Sequence, residues 1–302
     1  MTSPFSDLDR PALNETALQR ALMGRGGFVS ALRVLPEVDS TNTALSAASL
    51  DGAPHGSVVV AEVQTAGKGR LGRTWQAPAR SGLFLSILVR LEEVPAQQCG
   101  WLPLLAGVAT RSAVAGAAKL DAALKWPNDV IIEADPDAGG GADTLSALGT
   151  ADAPASSPYG AGRKLGGILV ERVPGTDPAA VIGIGLNVTL RAAELPAPHA
   201  TSLALAGAAV TDREILLRTL LRSFGTWYVD WAAAAGDAEK CGLLAAYRAA
   251  CATIGRQVRA ELPGGTVLQG LATAVDEQGR LMIRTEDGVD SPVTAGDLVH
   301  LR

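Results

Sequence analysis

The spacing of hydrophobic positions changes several times along the chain, and each change marks an element. PALNETALQRALMG (residues 11–24) sets Leu18 and Leu22 on one face behind a capping Asn14, with Gly24 beyond them, so a short helix is expected. ALRVLPEV (31–38) reads as a strand, and DSTNTALSAA (39–48) offers Ser40 or Thr41 as the N-cap of a second helix. SVVVAEV (57–63) and GLFLSILVRL (82–91) are nearly unbroken apolar runs rich in β-branched residues, as in strands buried on both faces. A long apolar helix is expected over 97–118, with strands near 121–126, 130–133, 164–173 and 180–188. In DREILLRTLLRSFGTWYVDW (212–231), Leu217, Leu220, Leu221, Phe224, Tyr228 and Trp231 recur at helical spacing, which predicts an amphipathic core helix. Helices and strands alternate irregularly, so the fold class is α+β with a mixed sheet rather than a doubly wound one.

Two segments break this pattern. Residues 134–162 are rich in Gly, Ala, Asp and Pro and nearly devoid of large apolar side chains, so they read as an exposed, flexible insertion. From residue 252 the pattern shortens to RQVRAEL, TVLQGLATAV, RLMIRTEDG and LVHLR, separated by PGG, EQG and DG turns, the rhythm of a small β-barrel. The expected organisation is therefore a catalytic or binding domain over 1–251 and a barrel over 252–302.

Composition narrows the class. Hydrophobic residues make up 47% of the 302, yet no uncharged apolar run reaches the roughly 18 residues of a membrane span. The first residues, MTSPFSDLDRPALNE, lack an apolar core, so no secretory signal is expected and a cytoplasmic location is. Cys99, Cys241 and Cys251 have no CxxC spacing and are expected to be reduced thiols. A net charge of −5 gives no global attraction to nucleic acid.

Charge is distributed unevenly, however. Between Glu62 and Glu92 there is no acid, while Lys68, Arg70, Arg73, Arg80 and Arg90 supply five cations. Within this span QTAGKGRLGRTW (64–75) adds Gly67, Gly69 and Gly72, which free the backbone to approach a ligand, and Trp75, a flat surface for a ring. It is neither a Walker A loop nor a dinucleotide fingerprint. A flexible basic loop that folds over an anion is the economical reading. KWPND (125–129) groups Lys125, Asn128 and Asp129 around a proline, RKLGGILVE (163–171) opens a strand with Lys164, and VIGIGLNV (181–188) ends an apolar run with Asn187. Together with the loop, the two lysines suggest a polyanion site, and Asp39, Ser40, Thr41 and Asn42 suit a neutral polar ligand head.

DSTN, QTAGKGRLGRTW, KWPND, RKLGGILVE and IGIGLNV, in that order, closely resemble the biotin protein ligase family, also called biotin–[acetyl-CoA-carboxylase] ligases. IGRQV and GLATAVDEQGRLMI resemble the family's small C-terminal SH3-like barrel. The resemblance implies two steps: the biotin carboxylate attacks the α-phosphate of ATP to give biotinyl-5′-AMP, and the acyl group then passes to a lysine of a biotin carboxyl carrier protein. It implies biotin as substrate, ATP as co-substrate and Mg²⁺ as metal, with Asp129 a candidate either for metal ligand or for the base that deprotonates the acceptor lysine.

By the same resemblance Ser40, Thr41, Asn42 and Gln64 hold the biotin head, while Lys68, Gly69 and Arg70 close over the biotin side chain and the adenylate, with Gly67 also among the biotin-binding residues. Lys164 contacts the biotin carboxylate and the α-phosphate as the central catalytic residue, with Arg70 and Asp129 beside it. Arg73, Trp75, Lys125, Asn128 and Asn187 serve the nucleotide. Position 68 is Lys where the family often has Arg, Gly167 stands where Ala is common, and the insertion separates two motifs that usually lie close together. A homodimer is compatible with the resemblance. A lipoate or octanoate ligase of the same fold is the main alternative. A biotin-responsive DNA-binding regulator is a weaker one, because about 36 residues precede DSTN and none forms a basic recognition helix. No nucleic-acid or membrane partner is expected.

Overall fold

The computed structural model describes residues 10–24, 26–133, 157–175, 177–262, 264–294 and 296–301. Strands β1 (Ala31–Leu35), β2 (Ser57–Ala61), β3 (Gly82–Arg90), β4 (Ala123–Lys125), β5 (Asp129–Ile132), β6 (Arg163–Arg172) and β7 (Ala179–Asn187) form one sheet in the order β1-β2-β3-β7-β6-β5-β4. Only β1 and β2 pair in parallel; the remaining neighbours are antiparallel, so the sheet is mixed.

Alternation along β3 and β7 sorts the two faces. Leu83, Leu85, Ile87 and Val89 join Ile182, Ile184 and Leu186 in the main core. Two helices supply the other side of that core: α3 (Leu102–Ala113) and α4 (Arg213–Ala233), the latter burying Leu217, Leu220, Leu221, Phe224, Tyr228 and Trp231 as its spacing predicts. On the opposite face, α2 (Thr41–Leu50) buries Leu45 against Val59, Leu88 and Val181. It covers only part of that face. Ser86, Gly183, Gly185 and Gly167 lie in register on the rest of it and form a low strip.

The single helix expected over 97–118 is three pieces: a 3₁₀ stretch Ala96–Trp101, α3, and a π turn Val114–Ala118. Pro103 can stand only in the first turn of an α-helix, which sets the start of α3. Helix α1 (Glu15–Leu22) is capped by Asn14 as its sequence suggests, and α5 (Leu243–Ala250), which no pattern singled out, follows Gly242 at φ +80°.

The second sheet is antiparallel: β8 (Gln257–Glu261), β9 (Val267–Val275), β10 (Leu281–Arg284), β11 (Asp290–Val293) and β12 (Asp297–His300), ordered β11-β10-β9-β8-β12. The β9–β10 turn docks it on the first domain, where Trp101 Nε1 donates to the Glu277 carbonyl at 2.7 Å and Trp126 Nε1 to that of Gly279 at 3.0 Å. Of the 134–162 stretch, residues 134–156 lie outside the described residues, and 157–162 form a turn that buries Tyr159 rather than exposing it. No helix among the described residues is long and apolar enough to cross a membrane.

The start of α4 is tied to the sheet by a buried ion pair, Arg213 Nη1 to Glu62 Oε2 at 2.6 Å; Glu62 also accepts from Leu13 N at 2.7 Å. Removing one partner strands a buried charge. Arg213→Ala is therefore expected to cost about 3–5 kcal/mol of unfolding free energy, read from urea denaturation; a loss within experimental error would refute this role for the pair.

Candidate functional site

The open part of the sheet face is the floor of a cavity of about 480 Å³. Its neutral end is built where α2 begins. Ser40 caps the helix, and Thr41 N and Oγ1 both donate to Gln64 Oε1, at 2.8 and 3.1 Å. Asn42 Nδ2 donates to Glu171 Oε2 at 2.7 Å, and Ser86 Oγ donates to Asn42 Oδ1 at 2.6 Å. Ser40, Thr41, Asn42 and Ser86 are buried polar groups on an otherwise apolar face, and these hydrogen bonds, with half-buried Gln64 and Glu171, satisfy them. Ser86 was not singled out by sequence, although a serine inside GLFLSILVRL was the visible signal.

The glycines of β6 and β7 make room for the site's own side chains. A Cβ on Gly183 would lie 2.3 Å from Asn42 Oδ1, and one on Gly185 2.7 Å from the Trp75 indole. Trp75 thus lies against the floor, with Lys164 Nζ 5.5 Å from its ring centroid.

The loop 64–75 folds as a tight hairpin above this floor. Trp75 N donates to Gly67 O at 2.8 Å and Gly69 N to Arg73 O at 2.7 Å. A Cβ on Gly67 would lie 2.3 Å from the Trp75 carbonyl, so only glycine allows that closure. At the tip, Leu71 and Gly72 both adopt positive φ, 55° and 74°. Lys68, Gly69, Arg70 and Arg73 line the main cavity, whereas Gly67 borders a second one on the far side of the loop.

At the other end the cations gather. Arg70 donates to Asn128 Oδ1 at 3.0 Å and to the Gly296 carbonyl at 3.3 Å, and Arg73 pairs with Asp297. Lys125 is buried, its Nζ donating to the Leu298 carbonyl at 2.6 Å. Asn187 is buried and donates to the Thr201 carbonyl at 2.9 Å. Lys164 has its backbone clamped by His199 O and Thr201 N, and its Nζ lies 2.6 Å from Asp129 Oδ1. The arrangement suits an elongated ligand with a neutral hydrogen-bonding head, an apolar middle and an anionic end.

Residues 34–188 match the model of the biotin/lipoate A/B protein ligase family, and residues 253–301 match that of the biotin protein ligase C-terminal domain. The chain belongs to this family. It is 40% identical over 97% of its length to the biotin–[acetyl-CoA-carboxylase] ligase of Mycobacterium tuberculosis, 97% of which is covered. It is 30% identical over 90% of its length to the bifunctional ligase/repressor BirA of Escherichia coli, 74% of which is covered. Among solved structures, the biotin protein ligase of Aquifex aeolicus in complex with biotin and ATP has a TM-score of 0.67 at 26% identity, covering 90% of this chain and 99% of that one. The fold is the family's: a mixed-sheet domain followed by an antiparallel C-terminal one.

The sequence motifs leave other wall residues unmarked. Here Tyr159, His199 and Asp297 line the cavity outside every motif. Tyr159 lay in a composition-biased stretch, and Asp297 comes from the other domain.

Burial alone would raise the Asp129 carboxyl, but Lys164 and then Lys125 outweigh it and hold it below the ordinary range. Burial pushes the Lys125 ammonium down to about 8, against the pull of Asp129 in the other direction. Burial, then Lys164, lowers His199. For Lys125 the sign is definite: between about 8 and 10.5 the unfolded chain binds the proton that the folded one has released. Its contribution to stability therefore rises with pH across that window. Urea unfolding of the native protein and of Lys125→Met from pH 7.5 to 10 is expected to show the native protein gaining on the variant above pH 8; parallel curves would contradict the depressed value.

Proposed function

We infer that this chain is an ATP-dependent biotin ligase, which activates biotin as biotinyl-5′-AMP and transfers the acyl group to a lysine of a biotin carboxyl carrier protein. One observation carries the reading: a neutral head pocket and a cation cluster centred on Lys164 share a single cavity, in a chain so similar over its whole length to a biotin–[acetyl-CoA-carboxylase] ligase.

The residues divide the work by chemistry. Ser40, Thr41, Asn42 and Gln64 offer donors and acceptors to the ureido head, and the loop from Lys68 to Arg70 closes over the side chain and the adenylate. Trp75 and the glycine floor accept the apolar side chain and the adenine ring. Lys164, fixed by Asp129, meets the biotin carboxylate and the α-phosphate, where negative charge grows as the carboxylate oxygen attacks phosphorus and pyrophosphate leaves. Arg70, Arg73 and Lys125 bring two anions together that would otherwise repel, with Asn128 and Asn187 orienting the nucleotide end. In the second step the amine of the carrier lysine attacks the acyl carbon and AMP departs.

Mg²⁺ would arrive with the triphosphate, which supplies most of its oxygen ligands. It would neutralise phosphate charge. Among the described residues no group of three or more His, Cys, Asp or Glu side chains could hold a metal by itself. The Asp129 oxygens already face Lys164 and Tyr159, so its part here is to orient Lys164 rather than to bind metal. The carrier protein as acceptor and a cytoplasmic setting follow from the same reading, and a homodimer is compatible with it.

Incubation with ATP, Mg²⁺, biotin and a biotin carrier domain is expected to add one biotin to one carrier lysine, read by mass. Lipoate in place of biotin is expected to add nothing; modification by lipoate alone would move the chain to the lipoate branch of the family. Lys164→Ala should slow biotin-dependent ATP–pyrophosphate exchange by roughly 10²–10³-fold, the usual scale for removing a group that stabilises transition-state charge. An unchanged exchange rate would remove Lys164 from the centre of the mechanism.

A further inference from the structure

One carboxylate, Asp129, lies between two lysines, and both pull on it electrostatically. It contacts Lys164. Nothing in the motifs explains that choice, because Lys125 is the more deeply buried cation and has the greater need of a counter-ion. Tyr159 stands where the choice is made. Its hydroxyl donates to Asp129 Oδ2 at 2.9 Å, while Lys164 Nζ takes the other oxygen, Oδ1, at 2.6 Å. Its ring faces Lys125, whose Nζ is 5.1 Å from the ring centroid, and rests against His199 with centroids 5.1 Å apart.

The tyrosine is itself held in place. It is 5% exposed. The preceding carbonyl, of Pro158, accepts from His300 N of β12 at 3.2 Å, and its own carbonyl accepts from Gly162 N at 3.0 Å. Both burial and the neighbouring Asp129 carboxylate raise the phenol well above its ordinary range, so it is a donor at any working pH.

We propose that Tyr159 is a positioning residue for adenylate formation: its hydroxyl pins the Asp129 carboxylate, its ring serves Lys125 in place of that carboxylate, and Asp129 is thereby reserved for Lys164. The inference rests on the reading of Lys164 as the group that meets the biotin carboxylate and the α-phosphate. A lysine has a long flexible stem, so its ammonium is placed only as well as the counter-ion that holds it. A carboxylate with one oxygen committed to a rigid phenol offers the other in one direction. A carboxylate without it can turn toward either lysine. The ring contributes separately, as a cation–π partner that lets Lys125 be buried beside the Leu298 carbonyl.

The test is biotin-dependent ATP–pyrophosphate exchange with native protein, Tyr159→Phe, Tyr159→Leu, Asp129→Asn and the Phe/Asn double variant. Tyr159→Phe keeps the ring and is expected to lower kcat about tenfold, the scale of a hydrogen bond to a charged acceptor, with KM for ATP and for biotin unchanged within about twofold. Tyr159→Leu also removes the ring, so KM for ATP should rise in addition. In the Asp129→Asn background the Phe substitution should have no further effect. A native kcat in Tyr159→Phe would overturn the proposal, as would the same tenfold loss in the Asp129→Asn background. A thermal midpoint for Tyr159→Phe close to that of the native protein separates positioning from unfolding. If the native protein itself gave no biotin-dependent exchange, the ligase reading would fail and this inference with it; normal native exchange with an unaffected Tyr159→Phe would overturn the inference alone.

Discussion

Five cations, Lys68, Arg70, Arg73, Lys125 and Lys164, line one cavity against two carboxylates, Asp129 and Asp297, and the repulsion among them is the constraint on which the rest of the site depends. Two like charges about 4 Å apart in a partly buried site cost on the order of 4 kcal/mol, so four of the five are held by partners, while Lys68 is exposed. The partners are different in kind. Lys164 has Asp129, Arg73 has Asp297, Arg70 has the Asn128 amide oxygen and the Gly296 carbonyl, and Lys125 has the Leu298 carbonyl and a tyrosine ring. Gly296, Asp297 and Leu298 belong to the small antiparallel domain or the turn that leads into it. That domain is therefore part of the electrostatics of the cavity, not an appendage to it.

The floor answers a different demand. A sheet face that must carry both an indole and a polar helix start cannot also carry side chains of its own beneath them. Gly183 and Gly185 remove the Cβ atoms that Asn42 and Trp75 would strike. Ser86 is small enough to remain and polar enough to be useful, since it donates to Asn42. The head pocket is consequently organised by its own hydrogen bonds: Gln64 fixes Thr41, and Glu171 and Ser86 fix Asn42. Groups already held in position lose little further freedom when a ligand arrives, so more of the interaction energy appears as affinity.

Much of this was legible in the sequence because the signals were local. Unbroken apolar runs located β2, β3 and β7, helical spacing located α4, and Asn14 and Ser40 cap the helices they precede. The motif residues chosen as site candidates surround one cavity, apart from Gly67, which borders the neighbouring one. What was not legible depends on distant pairing. The carbonyl that holds Lys125 is 173 residues away in the chain, and the carboxylate that holds Arg73 is 224 away. Tyr159 was hidden by composition, since a stretch of small and turn-forming residues gives no reason to expect a buried ring. The helix expected over 97–118 was misjudged as one piece because hydrophobicity continues through Trp101 and Val114 while the hydrogen-bond pattern does not.

The excess of cations also bears on how the cavity treats its charge. A buried lysine whose pKa is pushed down to about 8, first by burial and then by neighbouring cations, is close to giving up its proton. An anion bound nearby would reverse that, raising the pKa and keeping the charge. The cavity and a polyanion thus complete one another: the ligand supplies the negative charge that Asp129 and Asp297 leave lacking, and the cations supply the fixed field in which two anions can approach. Enough further carboxylates to balance the protein alone would weaken the site. The imbalance is tolerable because carbonyl oxygens and an aromatic face carry part of the load at Lys125 and Arg70 without cancelling any charge. Neutral partners hold the cations in place and leave their field intact for a ligand.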